Sequence, residues 1–234
     1  MSDAPYWLAF GDIHDDISRF GDIPELGGTS GILVTGDMTL AGGIKQAKRV
    51  LEPIAKASSS VLAQIGNMDR AEVTGWLEDQ GWNLHARARE LFSGVFAIGV
   101  GCSPPTPFGT PSEFSEQRLA DWMEQALAEA RLYAEETGIT PSLVLVAHTP
   151  PHASACDRLH SGAPVGSTAV REFIEHYQPD LCLCGHIHES RAEDYIGKTH
   201  IINPGALVQG GYVILRQTEQ DGRTTVSAEL KVLP

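Results

Sequence analysis

Five short polar fragments, each set directly after a run of apolar residues, constrain this chain more than any other feature. In order they are Gly11-Asp12-Ile13-His14, Gly36-Asp37, Gly66-Asn67-Met68-Asp69, Ala147-His148 and Gly185-His186-Ile187-His188. The runs before them, Tyr6–Phe10, Gly31–Thr35, Val61–Ile65, Leu143–Ala147 and Leu181–Cys184, are apolar and of strand length, and Val95–Val100 reads the same way. Amphipathic helical patterns at Ile44–Lys56, Val73–Gln80, Ser115–Thr137 and Ser167–His176 separate them. Strand and helix in alternation predict an α/β organisation. In open α/β sheets ligands bind beyond the carboxyl ends of strands, so five fragments distant in sequence can meet in one crevice.

The helix over Ser115–Thr137 is the clearest, with Leu119, Trp122, Met123, Ala126, Leu127, Ala130 and Tyr133 at helical spacing and Gly138 as its C′ residue. That stripe is a core face, not a cofactor site. Beyond Arg191 the pattern changes to β-like pieces at Ala192–Ile196, His200–Ile202, Tyr212–Arg216 and Thr224–Val232. These predict a largely antiparallel C-terminal edge or a second sheet. No repeat or linker interrupts the chain, and its 234 residues suit a single domain, 1–234.

A formal net charge of −13 excludes a large nucleic-acid footprint, because phosphate backbones require clustered Lys and Arg. No apolar run is long enough to span a membrane and no signal-peptide pattern opens the chain, so the cytoplasm is expected. Cys102, Cys156, Cys182 and Cys184 have no framework spacing and read as reduced, mostly buried thiols.

The polar fragments together offer hard oxygens from Asp12, Asp37 and Asn67 and imidazole nitrogens from His14, His148, His186 and His188. This mixture suits Mn²⁺ first, with Fe, Zn, Ni or Co as alternatives, better than Ca²⁺ or Mg²⁺ alone. Seven ligands exceed one tetrahedral site, so two divalent ions joined by a bridging carboxylate, with Asp37 as the candidate, are the economical arrangement.

In order, residue type and placement the fragments resemble the calcineurin-like metallophosphoesterase family, whose pattern runs DxH, GD, GN(H/x)(D/E), H and GHxH. The resemblance spans about Leu8 to Asn203. It implies a four-layer α/β/β/α sandwich with two mixed β-sheets flanked by helices. It further implies that Asp12, His14 and His188 hold one metal, Asn67, His148 and His186 the other, and that Asp37 bridges them. The implied chemistry is hydrolysis of a small phosphoester by a metal-bridging hydroxide.

The chain departs from the fullest form of this motif at Met68, where many members carry a His that assists the leaving group. A thioether cannot donate a proton, and since family branches lacking this His are associated with phosphodiesters, the resemblance implies diesters or activated esters as substrates. Asp69 falls on the motif's acidic position and is expected to orient a ligand rather than bind metal. His152 either faces the site as a substrate contact or proton donor, or is a loop histidine. Phe108 and Phe114 in the Pro-rich segment Cys102–Phe114 either anchor that loop or line the substrate mouth. The reading from a different class is a non-catalytic scaffold of the same fold, against which stands the presence of all seven ligand side chains.

Overall fold

The computed structural model describes residues 4–220 and 222–234. Its first sheet is assembled from β1 (Tyr6–Phe10), β2 (Gly31–Val34), β3 (Val61–Ala63), β10 (Gly211–Gln220) and β11 (Arg223–Val232). These lie in the order β11-β10-β1-β2-β3, with β1, β2 and β3 parallel and the β10–β11 hairpin antiparallel to β1. The second sheet takes β4 (Ala88–Phe92), β5 (Val95–Val100), β6 (Ser142–Ala147), β7 (Leu181–Leu183), β8 (Ala192–Ile196) and β9 (Thr199–Asn203). Their order is β4-β5-β6-β7-β9-β8, parallel through β5, β6, β7 and β9 and antiparallel at both edges.

The period-two alternation of strand side chains divides the core. Trp7, Ala9, Leu33, Val213 and Leu215 of the first sheet meet Ala97, Val144, Val146, Leu183 and Ile202 of the second in a buried layer between the sheets. Leu8, Phe10, Ile32 and Val34 point the other way, into the larger core that also takes Val50, Leu51 and Ile54 of α1 (Ile44–Ala57). Val73 and Leu77 of α2 (Glu72–Asp79) join that core, as do Leu119, Met123 and Leu127 of α3 (Glu116–Thr137) and Phe173 and Ile174 of α4 (Thr168–Tyr177). Two mixed sheets flanked by these four helices give the expected α/β sandwich.

Helix ends follow local chemistry. Ser115 caps α3 by accepting from the Arg118 amide, Gly138 closes it with φ of 70°, and Ser167 caps α4 by accepting from Val170. The C-terminal β pieces do not form one unit: β8 and β9 pair at the edge of the second sheet, whereas β10 and β11 complete the first. β4 is absent from the sequence reading because ARELF has no apolar run to mark it; antiparallel pairing with β5 makes it a strand. All four cysteines are free and buried, and Cys182 and Cys184 share the helix-facing side of β7 and its extension.

Candidate metal centre

The five polar fragments lie at the carboxyl ends of β1, β2 and β3 in one sheet and of β6 and β7 in the other. Backbone hydrogen bonds stitch the loops together. The Asp12 amide donates to Gly36 O at 3.0 Å, and the Ile13 and His14 amides both donate to Asp37 O at 2.8 and 3.0 Å. Across the other sheet the Gly185 amide donates to His148 O at 2.9 Å.

Backbone strain concentrates in these loops. Asp12, His14, Asp37 and His186 adopt φ of 50°, 47°, 49° and 67°, a left-handed conformation that L-residues with side chains enter rarely and at a cost. The glycine before each polar residue has its own reason. A Cβ on Gly66 would fall 2.1 Å from Asp37 Oδ1, and one on Gly36, which has φ of +130°, would fall 2.5 Å from His148 Nδ1.

The side chains gather into two groups that could each hold a cation, Asp12 with His14 and His188, and Asp37 with His148 and His186. His14 Nε2 stands 3.1 Å from His188 Nε2, which is itself 3.4 Å from Asp12 Oδ1. In the other group Asn67 Oδ1 lies 3.0 Å from His148 Nε2 and 2.8 Å from His186 Nδ1. Asp37 Oδ2 reaches both groups, 3.7 Å from His14 Nε2 and 3.4 Å from His148 Nε2. All seven sequence-predicted ligand residues therefore meet in one place.

This crowding shifts their protonation. Burial would raise Asp12, but the His188 hydrogen bond and the field of His148 override it and hold the carboxyl at about 2. Burial would lower His148, yet the adjacent Asp37 carboxylate lifts it to about 9. His186 is lowered to about 4 by burial and then by the charge of His148. Burial opposes charge on His188 as well, and its hydrogen bond to Asp12 wins, raising it. Buried nitrogens and oxygens facing one another at 3 Å with few hydrogens between them are costly unless a cation sits among them. The donor set thus fits divalent metal ions of the borderline class.

Several residues hold this geometry. Asp69 is buried and belongs to neither of the two groups that could hold a cation. Its Oδ2 accepts from the Met38 and Gly66 amides, and its Oδ1 from the Thr39 amide and hydroxyl, at 2.8–3.1 Å. It thereby clamps the loop carrying Asp37 to the loop carrying Asn67. Burial and the Asp37 charge raise its carboxyl to about 7 against the pull of those donors.

Three supports have no role assigned from the sequence, although the family resemblance places Asn203-Pro204-Gly205 near the site. Gln64 donates through Nε2 to Thr35 O, Val100 O and Val146 O at 3.1–3.2 Å, joining the two sheets beneath the site. Asn203 Nδ2 donates to Gly185 O and Ile187 O, holding the loop of His186 and His188, while its Oδ1 accepts from Gly205. Thr110 accepts from Asn67 Nδ2 at 3.0 Å. Apart from that resemblance, the only trace of the first two in the sequence is an amide side chain next to the end of an apolar run.

A cleft of about 1200 Å³ opens over the centre, lined by His14, Asp37, Asn67, Met68, His186 and His188 on its floor. His152 stands on its wall, with Nδ1 3.7 Å from Oδ2 of the buried Asp157, so it is not a remote loop histidine. The two phenylalanines divide the roles expected of them. Phe114 packs edge-on against Trp122 at 5.0 Å and anchors the loop, whereas Phe108 is 86% exposed and lines the cleft.

Two mixed sheets flanked by helices, with two groups of side chains that could each hold a cation at the carboxyl ends of the strands, are the arrangement of the metallophosphoesterase class. Residues 130–225 match the metallophosphoesterase, calcineurin superfamily. An uncharacterized protein of Methanocaldococcus jannaschii is 32% identical over 201 residues, covering 83% of each chain. The chain belongs to the calcineurin-like metallophosphoesterases. Among solved structures, a Thermus thermophilus protein superposes with a TM-score of 0.68 at 16% identity, over 98% of this chain and 99% of that one. A dimetal phosphatase from Danio rerio superposes with a TM-score of 0.63 at 11% identity over the same shares. At such identities the likeness concerns the fold.

Proposed function

We propose that this chain is a single-domain (1–234) phosphoester hydrolase that prefers phosphodiesters and works with two divalent metal ions, Mn²⁺ first among them. Asp12, His14 and His188 hold one ion, Asn67, His148 and His186 the other, and Asp37 joins them. The observation that carries this reading is the position of Asp37 Oδ2, within 3.7 Å of a histidine from each group. Bound there, divalent cations would polarise the phosphoryl oxygens and lower the pKa of a water enough for it to attack phosphorus near neutral pH.

The chain's own residues set the preference among esters. Met68 lines the cleft beside the ligands and offers no proton, while its amide donates to Asp37 Oδ1 at 2.7 Å and steadies the shared carboxylate. Among the described residues lining the cleft there is no Lys or Arg. A monoester dianion has the greater need of such cations, and a diester carries one charge fewer. His152, which lines the cleft with Nδ1 3.7 Å from Asp157 Oδ2, is the side chain available there as a proton donor for the leaving group.

The substrate is a small phosphoester rather than a long nucleic acid, in keeping with a net charge of −13. No helix among the described residues is long and apolar enough to cross a membrane, and the four buried free thiols support a reducing cytoplasm.

The test is a metal-reconstituted assay with Mn²⁺, Zn²⁺, Ni²⁺ and Mg²⁺ against matched mono-, di- and cyclic phosphoesters. Diester hydrolysis that Asp37→Asn abolishes is the expected result. A strong monoester preference sinks the diester claim, and inactivity across the panel despite two bound metals moves the protein to the scaffold reading.

A further inference from the structure

The wall of the cleft differs in chemistry from its floor. Phe108 and Leu40, 86% and 58% exposed, face the same cavity as Leu159, Val165 and the prolines of the 104–111 loop. Large apolar side chains turned toward water in one concavity are the signature of a binding surface. Apart from the metal-ligating residues, the ionisable groups lining the cavity are His152 and Glu189. Of the three threonines that line it, Thr106 and Thr110 have their hydroxyls spent on Glu113 Oε1, at 2.6 Å each, which leaves that of Thr168. A nucleobase or sugar buried here would find few hydrogen-bond partners, a loss that counts against polar arms.

The wall is also held at a set distance from the metal-ligating residues. Glu113 takes the Thr110 amide as well as both hydroxyls, and Ser112 ties the loop to the Asn67–Asp69 segment, its amide donating to Asn67 O and its hydroxyl to Asp69 O. Thr110 in turn accepts from Asn67 itself. Proline-rich backbone with these ties loses little freedom when a ligand binds, so apolar burial there converts efficiently into affinity. A cavity of about 1200 Å³ is also far larger than a phosphoryl group alone requires.

We infer that the 104–111 loop, Leu40, Leu159 and Val165 form a specificity wall for an uncharged apolar arm, aryl or alkyl chain, of the phosphodiester cleaved at the floor. This rests on the phosphodiesterase reading. The occupant is part of the substrate, because the wall is continuous with the metal-ligating floor and carries no cation to attract a second phosphate.

The experiment uses p-nitrophenyl phosphodiesters that share one leaving group and differ in the second arm: methyl, butyl, octyl and phenyl. With Mn²⁺-loaded protein, kcat/KM rises by roughly threefold per methylene over the first few carbons. Phe108→Ser and Leu159→Ser, both at solvent-exposed positions, flatten that rise, lowering kcat/KM for the octyl and phenyl esters by several-fold more than for the methyl ester. Calorimetry of metal-free protein with octyl methylphosphonate gives a second readout, binding that Phe108→Ser weakens at least tenfold. Turnover of all four esters at one rate overturns the wall and leaves the hydrolase reading intact. Turnover of none overturns that reading itself, and the wall's role with it. A dimer that Phe108→Ser dissociates, with chain-length selectivity unchanged, gives the surface to a second copy and likewise overturns the inference.

Discussion

Asn67 donates through Nδ2 to Thr110 Oγ1 at 3.0 Å, and this bond decides which end of its amide faces the metal-ligating histidines. With the nitrogen engaged, Oδ1 is left toward His148 Nε2 and His186 Nδ1, the orientation in which an amide can ligate a cation. The Pro-rich loop is therefore part of the centre as well as a wall beside it.

Thr110→Val removes the acceptor at nearly constant volume and frees the amide to turn. Metal content measured on dialysed protein should fall from two ions toward one, with affinity for the weaker ion down by about tenfold or more. The thermal midpoint of the metal-free protein should fall only slightly, because Thr110 is half-buried in a loop and Glu113 keeps the Thr106 hydroxyl and the Thr110 amide. Unchanged metal content would refute the orienting role.

Asp69 accepts four hydrogen bonds from two loops, and Asp69→Ala strands the three amides of Met38, Thr39 and Gly66 in a buried place, the Thr39 hydroxyl keeping Gly42 O as an acceptor. Denaturant unfolding of the metal-free protein should show a loss of about 3 kcal/mol or more. Asp69→Asn, which keeps one acceptor oxygen, should recover part of it.

Gln64→Leu keeps the size of the side chain but takes the side-chain donor from three buried carbonyls, Thr35 O, Val146 O and Val100 O, of which Val100 O keeps the His148 amide. The expected loss is about 2 kcal/mol by equilibrium unfolding. Because those carbonyls come from both sheets, amide exchange should speed up at the ends of β2, β5 and β6 together. Exchange confined to one sheet would contradict the bridging role.

His85 is buried edge-on against Trp122 and accepts from the Gly101 amide through Nδ1. Burial, then the Arg118 charge, lowers it from 6.5 to about 4. Its folded pKa lies below its unfolded one, so the stability it contributes is full above pH 6.5 and is lost as pH falls from there toward 4. Metal-free wild type should lose roughly 3 kcal/mol across that window relative to His85→Gln. Parallel stability profiles for the two proteins would exclude the effect.

Much of the centre could be read along the chain because its ligands sit in short fragments with a local cause. A strand must end before its loop can turn, the turn takes a glycine where a Cβ would strike a neighbour, and the ligand follows at once, as in Gly36-Asp37 and Gly66-Asn67. The seven residues expected to ligate metal are the seven that meet. Loop and edge features were less legible. The alternatives for Phe108 and Phe114 separated only when Trp122 of α3 took one ring and left the other in the cleft.

From the sequence alone came the element types apart from β4, the order of the candidate ligands, the helix caps and the buried thiols, since these depend on periodicity and on contacts within a few residues. The tertiary structure alone decided that β10 and β11 complete the first sheet while β8 and β9 extend the second. It also decided that Gln64 joins the two sheets, that Asn203 holds the last histidine loop, and that Thr110 sets the Asn67 amide. Those meetings join residues as distant in the chain as Tyr6 and Arg216, brought together by burial of apolar faces. No local pattern encodes such a meeting, because the partner of a buried amide is chosen by the packing of sheets and not by its neighbours in sequence.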